Sequence, residues 1–473
     1  MRAHSYFGST CKEHVSVKEV FSPYHHEVVS LASVCTKEDA HSILEIAEQA
    51  SKSAKTIPLH QRINWLLDVA KKLEAMQEEM AKTITDEVGK PIRFSRIEVE
   101  RAVETIKLSA NAMLHVNGET FDTTAMPSGK KTLSFYKREP VGVVLAITPF
   151  NFPLNLVVHK VAPALVAGNA VILKPTSQAP LSAFKLVKLF IESPYATHDA
   201  LSLIFSGEGV NDALVTSGIP RVISFTGSMG VGREIMQKAG IKKIALELGG
   251  NAATYIDGSA NGALAAQRCA YGAFINSGQV CISLQRIYVH EAIYDAFAQA
   301  FVHETKALHV GSPYDEKTFI GPMVNQGAVD KATRWVQCAI DEGAKVLCGF
   351  TCKDLMFEPT IMGEVREEMN IVCEEVFAPI VSLIKVKDYE EAKGRINASA
   401  YGLQYSLFSN DLGMVNDAIE SFEAGGIVVN DVPTLRFDMQ PYGGIKQSGI
   451  GKEGPYYALL EDYTHIKSVV ICY

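Results

Sequence analysis

Apolar positions along this chain change their period several times, and each change marks a different kind of element. From Lys37 to about Asn117 they recur at three- and four-residue spacing among Ala, Glu and Lys, which predicts amphipathic helices. Thr36 is the expected N-cap of the first helix, because Glu38 and Asp39 follow it and acids favour a helix start. A Gly, Pro and Thr-rich passage around 118–128 interrupts the pattern, and LSFYKREPVGVVLAITPF then reads as strands.

Beyond it, short apolar, β-branched runs alternate with helical stretches. Residues 141–148 lead into a helix over 155–167, 170–173 into 182–191, 200–205 into 209–217, and 222–225 into 230–239. Such alternation predicts βαβ units and a parallel sheet covered on both faces. A second series begins after Gly249, with 286–290 followed by 292–307 and 381–386 followed by 389–397. Two α/β units are therefore expected to abut near 248–251. The final residues, Thr464 to Tyr473, read as one strand that pairs outside its own unit.

With 473 residues, of which 47% are hydrophobic and 21% charged, the chain is long enough for about three structural units with sizeable cores. A net charge of −8 argues against a general nucleic-acid binder, which must neutralise phosphates with clustered cations. The apolar region 141–173 is broken by Pro149, Pro153, His159, Lys160, Pro163 and Asn169, whereas a membrane span needs about 20 uninterrupted apolar residues. The start of the chain lacks the apolar run of a signal peptide. The nine cysteines have neither disulfide-framework nor zinc spacing. These features lead to the expectation of a cytoplasmic protein with reduced thiols, no metal and no membrane or nucleic-acid partner.

Three short stretches carry candidate chemistry. In FINSGQVCIS, Cys281 follows Gly278, a residue that lets backbone approach a ligand closely. A lone Cys is usually a small buried hydrophobe, but nearby N–H donors would serve a thiolate. In IALELGGNAA, an apolar strand ends in Glu247. Glu in such a place is either a structural ion pair or a desolvated carboxylate suited to general-base work. In ITPFNFPLN, Asn151 lies in a turn held by Pro149 and Pro153. It is either turn chemistry or an amide donor for a developing oxyanion.

Together ITPFNFP, FTGS, LELGGN, NSGQVC, EEVFAP and PYGGIKQSGIG stand in the order found in the aldehyde dehydrogenase superfamily, which the chain resembles from about residue 20 to its end. The spacing of Glu247 and Cys281 is also the family's. The resemblance implies two Rossmann-like parallel-sheet domains plus a small β oligomerisation domain. Residues 1–117 and 140–248 would bind the dinucleotide, 249–445 would form the catalytic domain, and 118–139 with 446–473 the oligomerisation element. It implies that Cys281 attacks an aldehyde, that Asn151 and the Cys281 N–H hold the oxyanion, and that Glu247 activates the water that hydrolyses a thioester. Lys160 and Glu453 match a supporting pair behind the site, with an ordinary ion pair as the equal alternative. A carboxylate at Glu247 favours an acid-forming enzyme over a CoA-acylating one.

NAD or NADP is the implied cofactor. FTGSMGVG is not the GxGxxG fingerprint, and a glycine cluster alone is weak evidence. A strand running through Gly227 and Ser228 into a helix, however, presents N–H groups to a pyrophosphate. The resemblance assigns further cofactor contacts to Ile147, Thr148, Pro149, Phe150, Lys174, Ser177, Gly207, Gly209, Phe225, Thr226, Val231, Leu248, Glu375 and Phe377. Many NAD-specific members have Glu where this chain has Ser177; losing that carboxylate removes its repulsion of a 2′-phosphate, so NADP is permitted. Ala378 stands where the family usually has glycine.

For the substrate, VNDVPTLRFDMQPYGG is similar to a subgroup around lactaldehyde, non-phosphorylating glyceraldehyde-3-phosphate and phosphonoacetaldehyde dehydrogenases. Arg436, Arg101 and His159 are the candidate anion clamps, since Arg forks suit carboxylate, phosphate and phosphonate alike. Against this stand an interface ion pair, a solvated helix face and a satisfied core histidine, respectively. The two arginines usual for succinate semialdehyde are absent, at His159 and Ile275. A short polar or anionic aldehyde is the expected substrate and a neutral hydroxyaldehyde the alternative. A cysteine hydrolase would have no need of Lys174, Glu375 or the Gly227-Ser228 turn, and a non-catalytic NAD(P)-binding protein would be expected to lose Cys281, Glu247 or Asn151. A homodimer or homotetramer is expected, built through the terminal strand.

Overall fold

A computed structural model describes all 473 residues. The apolar run Val143–Ile147 becomes the centre of an eight-stranded sheet because helices cover both its faces. Across the sheet the strands are Gly449–Ile450, Lys243–Glu247, Val222–Thr226, Val143–Ile147, Ala170–Lys174, Leu201–Leu203, Ser5–Phe7 and Thr10–Lys12. The five from Lys243–Glu247 to Leu201–Leu203 are parallel, as the alternating pattern predicts.

Both edges are antiparallel, which the sequence reading does not foresee. Gly449–Ile450 caps one side and the hairpin Ser5–Phe7/Thr10–Lys12 the other. No strand is predicted before Lys37, because a three-residue strand is too short to show a period. Val17–Phe21 and Val28–Ser33 are likewise strands, paired with Arg2–Ala3 in a small separate sheet.

Chain order runs outward in opposite directions from the gap between Val143–Ile147 and Val222–Thr226. At such a reversal the loops leaving the carboxyl ends diverge and open a crevice. The helix Asn155–Ala167 follows one of these loops and is buried at every position, His159 and Lys160 included. Thr36 caps the helix Lys37–Ala54 through a reciprocal box with Asp39.

The second sheet orders Lys345–Cys348, Thr360–Gly363, Ile380–Val386, Leu284–His290, Ala252–Ile256, Gln404–Phe408 and Gly426–Val429. All its pairings are parallel except that of Lys345–Cys348 with Thr360–Gly363. The chain passes from one sheet to the other between Glu247 and Ala252. Thr464–Cys472 pairs along its length with Thr132–Pro140, which also pairs with Thr120–Phe121, and its outer edge is free. No helix is long and apolar enough to cross a membrane.

Candidate active site

Three consecutive left-handed residues precede Cys281: Asn276 (φ 51°), Ser277 (φ 57°) and Gly278 (φ 69°). Only Gly adopts this conformation without steric cost, so the surroundings must hold the other two. Ser277 Oγ donates to the Gly321 carbonyl at 2.8 Å. A Cβ on Gly278 would lie 2.2 Å from the Ala378 oxygen, so glycine is required there twice over. This tight turn leaves the Cys281 N–H without a protein partner. Cys281 Sγ lies 2.9 Å from the Tyr442 hydroxyl. Burial pushes the thiol up to about 11, against the pull of Tyr442 and the Arg436 cation.

Glu247 closes the strand Lys243–Glu247, and glycines make the space around it. A side chain on Gly443 would reach within 2.7 Å of Glu247 Oε1, one on Gly249 would strike the Glu375 carboxylate, and one on Gly250 the Cys281 carbonyl. Glu247 Oε2 is buried without a partner. Burial, and then the charge of Glu453, raise Glu247 well above the usual carboxylate range. Burial works in the same direction on Glu453, but the Lys160 ammonium, 2.8 Å away, and the Arg436 guanidinium hold it down at about 2. One buried carboxylate is thus charged and the other ready to hold a proton.

Asn151 is buried and donates one amide hydrogen to the Gln279 carbonyl at 3.1 Å, leaving the other available. Asn151, Glu247, Cys281 and Glu453 all line one cavity of about 660 Å³. Its walls include Arg101 and Arg436, together with Pro149, Phe150, Thr226, Gly227, Ser228, Leu248, Glu375 and Phe377. Lys160 stands behind Glu453, outside the lining.

The remaining cofactor candidates lie outside this cavity: Ile147, Thr148, Lys174, Ser177, Gly207, Gly209, Phe225 and Val231. Their surroundings differ. Gly207 lets the chain pass the Cys35 backbone, where a Cβ would clash at 1.7 Å, and Gly209 (φ 73°) starts the helix Val210–Thr216. Lys174 ends its strand buried, makes no ion pair, and is pushed down to about 8 by burial. Thr148 Oγ1 is buried without a partner. The helix Met229–Lys238 begins without a side-chain cap and has open space over Gly230, so its first N–H groups are uncovered. An unpaired ammonium, an orphan hydroxyl and an open helix start suit the hydroxyls and phosphates of a dinucleotide.

Of the three anion-clamp candidates, His159 is the one that lies outside the cavity. Its ring is fully buried and bonded to Asp438 at 3.0 Å, and it does not line the cavity, which the same helix reaches only through Asn155 and Leu156. Arg101 lines the cavity but is held by Asp438 through two hydrogen bonds of 2.7 and 2.9 Å. Arg436 lies 3.7 Å over the Tyr442 ring, with Glu453 at 3.4 Å and Asp438 at 3.7 Å, and its Nε has no hydrogen-bond partner.

Several residues here escape sequence reasoning. Asp438 gathers Arg101, His159 and Arg436 around itself. Lys90 and Glu98 form a buried pair, with Lys90 3.9 Å over the Phe152 ring and Glu98 accepting from the Leu154 and Asn155 amides. Lys331 Nζ donates to the Glu375 carbonyl at 2.9 Å. Asp438 lies in a quoted motif, but its partners Arg101 and His159 are distant in the chain, and no motif flags Lys90, Glu98 or Lys331. Tyr442 also lies in a quoted motif, but nothing in the motif places its hydroxyl on Cys281.

The “Aldehyde dehydrogenase family” description matches residues 11–469. The chain is 40% identical over 453 residues to a 3-sulfolactaldehyde dehydrogenase of Priestia aryabhattai, spanning 96% of this chain and 94% of the relative. It is also 40% identical over 459 residues to a lactaldehyde dehydrogenase of Methanocaldococcus jannaschii, spanning 96% and 97% of the two chains. Among solved structures, it is similar to glyceraldehyde-3-phosphate dehydrogenase GapN of Methanocaldococcus jannaschii complexed with NADP. That likeness has a TM-score of 0.91 and 38% identity, and covers 97% of this chain and 99% of the other.

Proposed function

The chain belongs to the aldehyde dehydrogenase family and is an NAD(P)-dependent oxidoreductase, and from this premise we propose that it oxidises a short polar or anionic aldehyde to its carboxylate through a covalent intermediate on Cys281. The observation that carries the proposal is the meeting of a thiol, a free backbone amide, an amide side chain and a proton-holding carboxylate around one cavity.

Cys281, as thiolate, forms a C–S bond to the aldehyde carbon. The Cys281 N–H and the free Asn151 amide hydrogen are the donors for the oxygen that becomes negative. NAD(P), when bound, would supply the acceptor for the hydride that leaves this carbon, so that a thioester would remain on Cys281. Glu247 then takes a proton from water, the water oxygen attacks the thioester, and the C–S bond breaks to release the acid. Its raised affinity for protons suits Glu247 to this step. Lys174, Thr148 and the start of the helix Met229–Lys238 would hold the adenosine ribose and phosphates, and Ser177 leaves room for a 2′-phosphate.

Arg436 supports an anionic substrate, being buried in the cavity wall beside the nucleophile's partner with an unsatisfied N–H. The relative named for 3-sulfolactaldehyde agrees with that reading. A neutral hydroxyaldehyde is the second reading. It is favoured by the two carboxylates already near Arg436 and by the relative named for lactaldehyde.

Reduced-nicotinamide absorbance with both cofactors and a panel of aldehydes tests this. The panel holds lactaldehyde, sulfolactaldehyde, glyceraldehyde-3-phosphate, phosphonoacetaldehyde, succinate semialdehyde and propanal. Selective turnover of a charged member supports the clamp, whereas equal or better turnover of lactaldehyde or propanal removes it. Cys281→Ala is expected to abolish oxidation while retaining NAD(P) binding, and full turnover by that variant would overturn the mechanism. Nine free thiols suit a reducing, cytoplasmic setting. The free edge and exposed Ile466, Val470 and Ile471 of the terminal strand suit a homodimer or homotetramer.

A further inference from the structure

The Arg436–Tyr442–Cys281 stack contains a contact that the steps above leave unused. We propose that Tyr442 is a catalytic residue whose phenol O–H stabilises the Cys281 thiolate, with Arg436 holding the ring from its face. The inference rests on the reading of Cys281 as the nucleophile.

The phenol has one hydrogen-bond partner, Cys281 Sγ at 2.9 Å. Its position is built in from two directions. The Tyr442 backbone exchanges hydrogen bonds with Glu453 at 2.9 and 2.6 Å, and the Arg436 guanidinium lies 3.7 Å from the ring centroid. Glu453 is in turn anchored by Lys160. The side chain that touches the sulfur is therefore fixed by the same pair that backs the site.

Direction of donation follows from charge. Burial, with Cys281 and Glu247 nearby, keeps the phenol proton on well above the ordinary tyrosine range. An ionised Cys281 has no proton to donate, so in its 2.9 Å contact the Tyr442 O–H is the donor and the sulfur the acceptor. A hydrogen bond to a thiolate is charge-assisted and about twice as strong as one to a thiol, so the contact favours the ionised sulfur. Four groups face Cys281: Tyr442 and Arg436 favour the thiolate, while Glu375 and Glu247 oppose it together with burial. In ionisation the S–H bond breaks, its electron pair stays on sulfur, and the proton leaves to solvent. Tyr442 keeps its own.

The test is the pH dependence of Cys281 alkylation by iodoacetamide in the full chain, read on the Cys281 peptide by mass spectrometry. Tyr442→Phe keeps the ring and its stacking on Arg436 but lacks the O–H. Its alkylation midpoint is expected to rise by about one pH unit, with labelling about ten-fold slower at neutral pH. A midpoint equal to or below that of the parent overturns the proposal. Fluorotyrosine at position 442, a stronger donor of nearly the same shape, is expected to lower the midpoint, and no lowering counts against the proposal even if the Phe variant fails to fold. Cys281→Ala separates the two ideas. Retained turnover there removes the nucleophile reading itself, whereas an inactive Cys281→Ala beside an unmoved Tyr442→Phe midpoint removes only the role of Tyr442.

Discussion

Lys160 Nζ stands 2.8 Å from Glu453 Oε1 in the interior of the protein, and this pair decides which of two neighbouring carboxylates carries charge. With Lys160 beside it Glu453 stays ionised, and its charge adds to burial in raising Glu247 above the usual carboxylate range. Lys160→Met leaves Glu453 without its main partner. It is expected to destabilise the fold by about 3–5 kcal/mol, measured by urea unfolding at neutral pH. Because Glu453 is depressed to about 2 from an ordinary 4.5, its stabilisation is complete above 4.5 and fades as pH falls through about 2. The difference between parent and variant should shrink over that interval, and a pH-independent difference would point to packing alone.

Glu247 has the opposite sign. Its proton is held more tightly in the folded than in the unfolded chain, so stability falls as pH rises above the ordinary 4.5 toward the raised folded value. Glu247→Gln is therefore expected to melt higher than the parent at neutral pH and to lose that advantage in acid below 4.5. Its steady-state turnover should drop by about 10²–10⁴ while a single burst of reduced cofactor persists, since only thioester hydrolysis needs the base. Loss of the burst as well would place Glu247 in an earlier step.

Arg436→Leu separates charged from neutral substrates. Loss of charge-assisted hydrogen bonds worth about 1.5–3 kcal/mol predicts a fall in kcat/KM of about 10- to 100-fold for anionic aldehydes. Lactaldehyde and propanal should change far less. A uniform fall across the panel would assign Arg436 to Tyr442 and Glu453 rather than to the substrate.

Ser177, half-buried beyond the end of the strand Ala170–Lys174, governs cofactor choice in this reading. Ser177→Glu is expected to weaken NADP binding by about ten-fold, a cost of about 1.4 kcal/mol, and to leave NAD binding nearly unchanged. In the parent, NADP affinity should fall as pH rises through about 8, where buried Lys174 loses its proton. Titration of cofactor fluorescence across pH measures both effects, and equal behaviour of the two cofactors would remove Lys174 from the 2′-phosphate.

The terminal strand offers a test of assembly. Ile466→Asp with Val470→Asp puts charges on its exposed side chains. Sedimentation is expected to give a dimer or tetramer for the parent and a smaller species for the variant. A monomeric parent would leave the strand as a purely internal partner of Thr132–Pro140.

Sequence by itself determined the elements whose residues repeat over enough length to impose a period. The run Val143–Ile147 had to be a strand covered on both sides, and the helix Asn155–Ala167, apolar nearly all round, had to be buried. Local chemistry likewise announced the Thr36 cap and the turns around Asn151 and Cys281. Tertiary structure alone decided which distant residues meet. Asp438 met the His159 ring and held Arg101 by its fork, and Tyr442 reached Cys281 across 161 positions of chain. The short strands Ser5–Phe7 and Gly449–Ile450 also needed an existing sheet edge to pair with. The reason is physical: a period acts between neighbours in the chain, whereas a buried charge is satisfied by whatever partner folding brings to it.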